Sequence, residues 1–132
     1  MRIERIVVGI DDSPGARTAL EWAAGMARLC GAEVVAVHAR GLLDRLHGTT
    51  DGTAEEPGPS MLEPLQRQGT NCRCVIRDGN PVDVLLAESE EASADLIVVG
   101  SRRFGGYPEL LLGSTSTQVA QHARRPVVII PV

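Results

Sequence analysis

Short runs of β-branched residues alternate with stretches of helical periodicity along most of this chain. Ile6-Val7-Val8-Gly9-Ile10 is continuously apolar, the pattern of a strand buried on both faces. Asp11-Asp12-Ser13-Pro14 follows, with Ser13 suited to an N-cap and Pro14 to the first position of a helix. That helix carries Ala16, Leu20, Ala23 and Ala27 on one stripe and stops at Gly31. Val34 to Val37 predict a second strand ending near His38-Ala39. From about Gly41 to Pro59 the chain is rich in Gly, Thr, Pro and acid, and predicts a surface loop whose only apolar cluster is Leu42-Leu43-Leu46. A short helix is expected from about Met61 to Gln68. Ser60 with Glu63 fits a capping box at its start, whereas Pro64 favours a start of its own, and the pattern leaves the two open.

Cys72 to Arg77 reads as a third strand, more polar, as an edge strand would be. Asn80-Pro81 caps a helix with Val82, Leu85, Leu86 and Ser89 inward, and Leu96-Ile97-Val98-Val99 is a fourth, continuously apolar strand. Ser114 or Ser116 opens a last helix running through Val119 and Ala123, and Pro126 to Ile130 form a fifth strand. Five strands joined through helices predict an α/β domain with a mostly parallel sheet, right-handed crossovers and helices on both faces. In such sheets ligands bind beyond the carboxyl ends of the strands, where the strand order reverses. Strands one and four are the most apolar early runs and the expected central pair, which puts Asp11 and Gly100 at their ends.

The length of 132 residues fits one domain, 1–132, large enough to fold without a metal or disulfide. Trp22, Phe104 and Tyr107 are the only aromatics, so the core is one of Val, Ile, Leu and Ala. The net charge of −4, with both signs interspersed, argues against a nucleic-acid module. Arg124-Arg125 is expected to serve a helix dipole. Three cysteines do not read as a disulfide framework, and Cys72 and Cys74, two apart on a strand, are expected as small hydrophobes on one face. No partner spacing completes a metal site, no stretch suits a membrane span, and the expected location is cytoplasmic. His38, His47 and His122 are scattered, the Glu88, Glu90 and Glu91 run reads as a solvated helix face, and no acid–base pair or nucleophile elbow supports an enzyme.

The segment that carries chemistry runs from Gly100 to Ser116. Gly100 allows a sharp turn at a strand end, Gly113 removes a side chain where a helix begins, and Ser114 and Ser116 bring hydroxyls beside free backbone N–H groups. A helix N-terminus of that kind carries partial positive charge and suits a phosphate, and Arg102 and Arg103 add formal charge. There is neither a Walker A motif nor a Gly-x-Gly-x-x-Gly after the first strand, where Asp11-Asp12-Ser13 stands instead. A carboxylate there suits ribose hydroxyls or a metal better than a pyrophosphate; it also suits helix capping.

Several segments together resemble the universal stress protein family over essentially the whole length. They are Ile6 to Pro14, Val34-Val35-Ala36-Val37-His38, Asp78-Gly79-Asn80-Pro81, Asp95 to Arg102, Leu110-Leu111-Leu112-Gly113-Ser114-Thr115-Ser116 and Arg125 to Pro131. The resemblance implies a sheet in the order 3-2-1-4-5, a homodimer through the last strand (Val127, Val128, Ile129, Ile130), and ATP in the crevice, with Mg2+ as its companion ion. It would place Asp11 on the ribose and Ile10 and Ala39 around the adenine. Gly100, Arg102, Gly113, Ser114 and Ser116 would hold the phosphates, with Val99, Arg103 and Thr115 also among the nucleotide-binding residues. The implied role is a nucleotide-dependent regulatory module in a stress response, with ATP turnover slow or incidental.

ATP-binding members of the family carry Gly, two residues, Gly, nine residues, then Gly and Ser or Thr. Gly100, Gly113 and Ser114 match, but the second glycine falls on Arg103. Two outcomes follow from that departure. Arg103 clamps phosphate oxygens while Gly105-Gly106 form the flexible nest, or Arg103 blocks the path and the fold acts as a nucleotide-free dimeric interaction module.

Overall fold

The computed structural model describes residues 1–11, 13–41, 59–101 and 113–131. The expected loop from Gly41 to Pro59 lies outside them apart from its two ends, as do Arg102, Arg103, Gly105 and Gly106. Five parallel strands, β1 (Arg5–Gly9), β2 (Glu33–Arg40), β3 (Cys72–Asp78), β4 (Leu96–Gly100) and β5 (Val127–Ile130), form one sheet in the order β3-β2-β1-β4-β5. This is the expected order, with β1 central and β4 beside it. Among the described residues the α-helices are α1 (Pro14–Cys30), α2 (Glu63–Arg67), α3 (Pro81–Glu91) and α4 (Ser114–His122).

The strand runs are apolar throughout because helices cover both faces of the sheet. Ile6, Val8, Val34, Ala36 and Val98 point to the layer formed by α1 and α2, with Ala16, Leu20, Ala23, Ala27 and Leu65 opposite them. Val7, Val35, Val37, Ile97 and Val99 point to the layer of α3 and α4, against Val82, Leu85 and Val119. The alanine stripe on α1 lets that helix lie close to the sheet. Cys72 belongs to the α1 layer and Cys74 packs against it, on one face as expected, and burial pushes both thiols up, so they stay protonated.

The caps follow from residue type. Ser13 is the N-cap of α1, its hydroxyl accepting from Ala16 N at 3.3 Å. Gly31 ends the helix at φ 71°, a left-handed conformation that costs glycine nothing. Asn80 Oδ1 accepts from Val82 N at 2.9 Å to start α3. At α2 neither expected start holds: Pro59–Leu62 form a 3-10 turn, and the α-helix begins at Glu63 with no side-chain cap. Pro64 then falls in the first turn, where its missing N–H is harmless.

Two expectations about surface charge are corrected. Arg125, expected to need no partner, has one: its guanidinium grips Glu90 of α3 through Nε and a terminal nitrogen, both at 3.3 Å. That pair holds the Glu90 carboxyl below its ordinary value. Glu88, expected in solvent, is largely covered and pairs with Arg77 Nε at 3.1 Å, so the acidic run pins α3 to β3 and to the entry of β5. Asp95 ties the chain's start to β4. Its carboxylate accepts from Glu4 N at 2.8 Å and Arg5 N at 3.0 Å, which holds its pKa below the usual carboxylate range.

Candidate functional site

The strand order reverses between β1 and β4, because β1 leads through α1 to β2 on one side while β4 leads through α4 to β5 on the other. The two turns beyond these strands therefore diverge and leave a crevice between them. One wall is Ile10, Asp11 and the start of α1; the other is Gly100, Ser101 and the start of α4.

On the first wall, Asp11 Oδ1 accepts from Ser13 N at 2.8 Å and from Ser13 Oγ. The carboxylate thus organises the cap of α1, the capping role that the sequence allowed it. The Ile10 side chain is buried with α1, so only its backbone borders the crevice. Ile10 N donates to Val37 O at 2.9 Å, and Ile10 O lies 3.2 Å from His38 Nδ1. A carbonyl can only accept, so Nδ1 carries the proton. His38, read in sequence as one of three scattered histidines, is buried at this strand end and helps hold it. Ala39 is the next residue of β2 and is half-buried.

On the second wall, Ser101 N donates to Ile130 O at 2.8 Å, which ties the end of β4 to β5. Ser101 O in turn accepts from Gly113 N and from Ser116 Oγ, the latter at 3.1 Å, so the start of α4 is bolted to the end of β4. Gly113 is the N-cap at φ −75° and ψ 167°, ordinary extended backbone. Its carbonyl accepts from Ser116 Oγ at 3.0 Å, Thr117 Oγ1 at 2.9 Å and Thr117 N at 3.1 Å. Ser116 is 2% exposed and its hydroxyl donates inward, so it shapes this corner and has no donor left for a ligand. Ser114 is exposed and Thr115 half-buried. The N–H groups of Ser114, Thr115 and Ser116 lie in the first turn, where a helix supplies no internal partner, and among the described residues none bonds them.

Two expectations change in detail. Val99 is 4% exposed and packed with α3 and α4, so its side chain belongs to the core. Gly100 is a β4 residue paired with Ile130 rather than a sharp turn. Its missing side chain instead accommodates the backbone of Gly15, since a Cβ at residue 100 would stand 3.2 Å from Gly15 O and 3.3 Å from Gly15 C. Arg102 and Arg103 lie outside the described residues. Ser101 and Gly15 were missed in sequence because a carbonyl's direction and a backbone approach leave no mark in residue type.

The electrostatics favour an anion. The start of α4 has no acidic residue in its first turn, whereas α2 and α3 carry Glu63 and Asp83 there and the α1 cap residue Ser13 is bonded to the Asp11 carboxylate. The partial positive charge of the α4 start is therefore left uncompensated in its own first turn. Among the described residues no cluster of three His, Cys, Asp or Glu could hold a metal ion, and no helix is long and apolar enough to cross a membrane.

Comparison with known proteins gives a consistent pattern. The model of the universal stress protein family matches residues 2–131. A universal stress protein of Mycobacterium tuberculosis strain H37Rv is 35% identical over 133 residues, covering 94% of this chain and 44% of that protein. The chain thus spans less than half the length of this relative. Among solved structures, a hypothetical protein whose biochemical function was assigned from its structure superposes with a TM-score of 0.83 at 22% identity, over 100% of this chain and 98% of that one, a likeness of fold. The universal stress protein of Archaeoglobus fulgidus in complex with dAMP superposes at 0.69 with 25% identity, over 98% of this chain and 99% of that one.

Proposed function

Since the chain belongs to the universal stress protein family, we propose that it binds ATP in the crevice between β1 and β4 and acts as a nucleotide-dependent regulatory domain rather than an enzyme. The observation that carries this reading is the start of α4, held by Ser101 O at the strand-order reversal with the N–H groups of Ser114, Thr115 and Ser116 unpartnered among the described residues. Such a helix start suits a phosphate chain without any strong base or nucleophile. The dAMP complex of the Archaeoglobus protein supports an adenine nucleotide as the ligand class.

In this reading Asp11, fixed by Ser13, meets the ribose, while Ile10 and Ala39 flank the adenine. Ser114 and Thr115 line the phosphate path, with Gly100, Gly113 and Ser116 holding its shape and Arg102 and Arg103 adding charge. Bound Mg2+ would offset the triphosphate's charge. Isothermal titration with Mg-ATP checks the reading directly: heat with a single-site isotherm is expected. No heat at high micromolar nucleotide would sink it in favour of the interaction module in which Arg103 closes the site, and Arg103→Gly would then create binding.

The same reading includes a homodimer through β5. Val127, Val128 and Ile129 are only half-buried, on a strand at the edge of the sheet, and an apolar edge of that kind invites pairing with its own copy. Light scattering is expected to give twice the mass of one chain; a single-chain mass at micromolar concentration contradicts it.

A further inference from the structure

We infer that Gly100 is a positioning residue that sets the width of the crevice through Gly15, rather than a residue whose job is to let phosphate approach. The inference rests on the adenine-nucleotide reading above. The three atoms nearest to a Cβ built at residue 100 are Gly15 O at 3.2 Å, Gly15 C at 3.3 Å and Gly15 Cα at 3.6 Å. All three are backbone atoms of one residue in the first turn of α1, so no side chain can swing aside. Any substituent at position 100 must push the α1 start and the β4 end apart by a few tenths of an ångström or more.

Both partners are anchored, so the displacement cannot be absorbed locally. Gly15 follows Ser13, which is held by the Asp11 carboxylate through its N–H at 2.8 Å and its hydroxyl. Gly100 precedes Ser101, whose N–H is bonded to Ile130 O at 2.8 Å and whose carbonyl holds Gly113 N and Ser116 Oγ. The Gly15–Gly100 contact is therefore where the ribose wall and the phosphate wall touch. Alternation along β4 puts position 100 on the face of Val98, toward α1, and opposite to the face of Ile97 and Val99. No phosphate contact is needed to explain a glycine there.

The test is Gly100→Ala, and the graded variant Gly100→Val, titrated with Mg-ATP and with adenosine. If Gly100 acts through Gly15, the whole crevice is mis-set and both ligands weaken together, by about fivefold for Ala and more for Val. If ATP alone weakens while adenosine holds, Gly100 serves the phosphate path and the inference is overturned. Backbone amide shifts, read without nucleotide, keep the idea testable if Val prevents folding. In Gly100→Ala the largest changes outside β4 are expected at Ser13 to Arg17 of α1. Changes confined to β4 and its paired strands β1 and β5 would also overturn it. A wild type that binds neither ligand would instead sink the nucleotide reading, leaving the amide shifts to decide the contact itself.

Discussion

Replacing Ser114 by glutamate is expected to strengthen the fold slightly and to weaken nucleotide binding about a hundredfold. Ser114 is exposed and is the first residue of α4, in a first turn without an acid. A carboxylate there interacts favourably with the helix start, by about 0.5 kcal/mol. The same charge would face the phosphates across roughly 5 Å, where repulsion at a surface-like effective dielectric is about 3 kcal/mol per unit charge, a loss on the order of a hundredfold. Thermal unfolding without nucleotide and titration with Mg-ATP separate the two effects. Gln118→Glu, an exposed site one turn further along α4, serves as the control, with a loss of about threefold or less. Undiminished binding by the Ser114 variant would put the phosphates elsewhere. The opposite signs matter, because a variant that merely damaged the corner would lose stability and binding together.

Ile97→Ala is expected to lower stability by about 3–4 kcal/mol, near the upper range for a buried aliphatic truncation. Ile97 is 0% exposed, sits opposite Val7 on β1 and Val127 on β5, and belongs to the layer under α3 and α4 with Val99 and Val119. Strands on both sides keep β4 from collapsing into the space, so a cavity remains. The midpoint of thermal unfolding should fall by roughly 10–15 °C, measured without nucleotide because ligand would mask the loss. Leu29→Ala, at a residue 85% exposed on α1, should change stability by no more than about 0.5 kcal/mol. A loss below about 1 kcal/mol at Ile97 would contradict the packing of that layer.

Much of this protein can be read from local pattern, because the signals are short-range. A strand covered on both faces must be apolar at every position, and Ile6 to Ile10 and Leu96 to Val99 are. Ser13, Gly31 and Asn80 act through bonds or dihedrals within a few residues, so their roles at helix ends follow from residue type. The cysteines' shared face follows from the two-residue period of a strand. Strand order came with the family resemblance, whose motifs lie at the strand ends and helix starts.

What only the tertiary structure decided are contacts between distant segments. Which guanidinium meets Glu90, and that Glu88 is covered, depend on how α3 packs beside β3 and the entry of β5, not on the run of acids itself. That Ser116 donates inward depends on where the Ser101 carbonyl lies, fifteen residues earlier in the chain. The burial of His38 beside Ile10 O is set by the pairing of β1 with β2. Gly100 makes the same point most sharply: sequence showed a glycine at a strand end and suggested a turn, whereas the fold brings Gly15, 85 positions earlier, against the place a side chain would fill. Residue type encodes what a side chain can do next to its neighbours in sequence; the approach of two backbones depends on the whole sheet and its helices being in place.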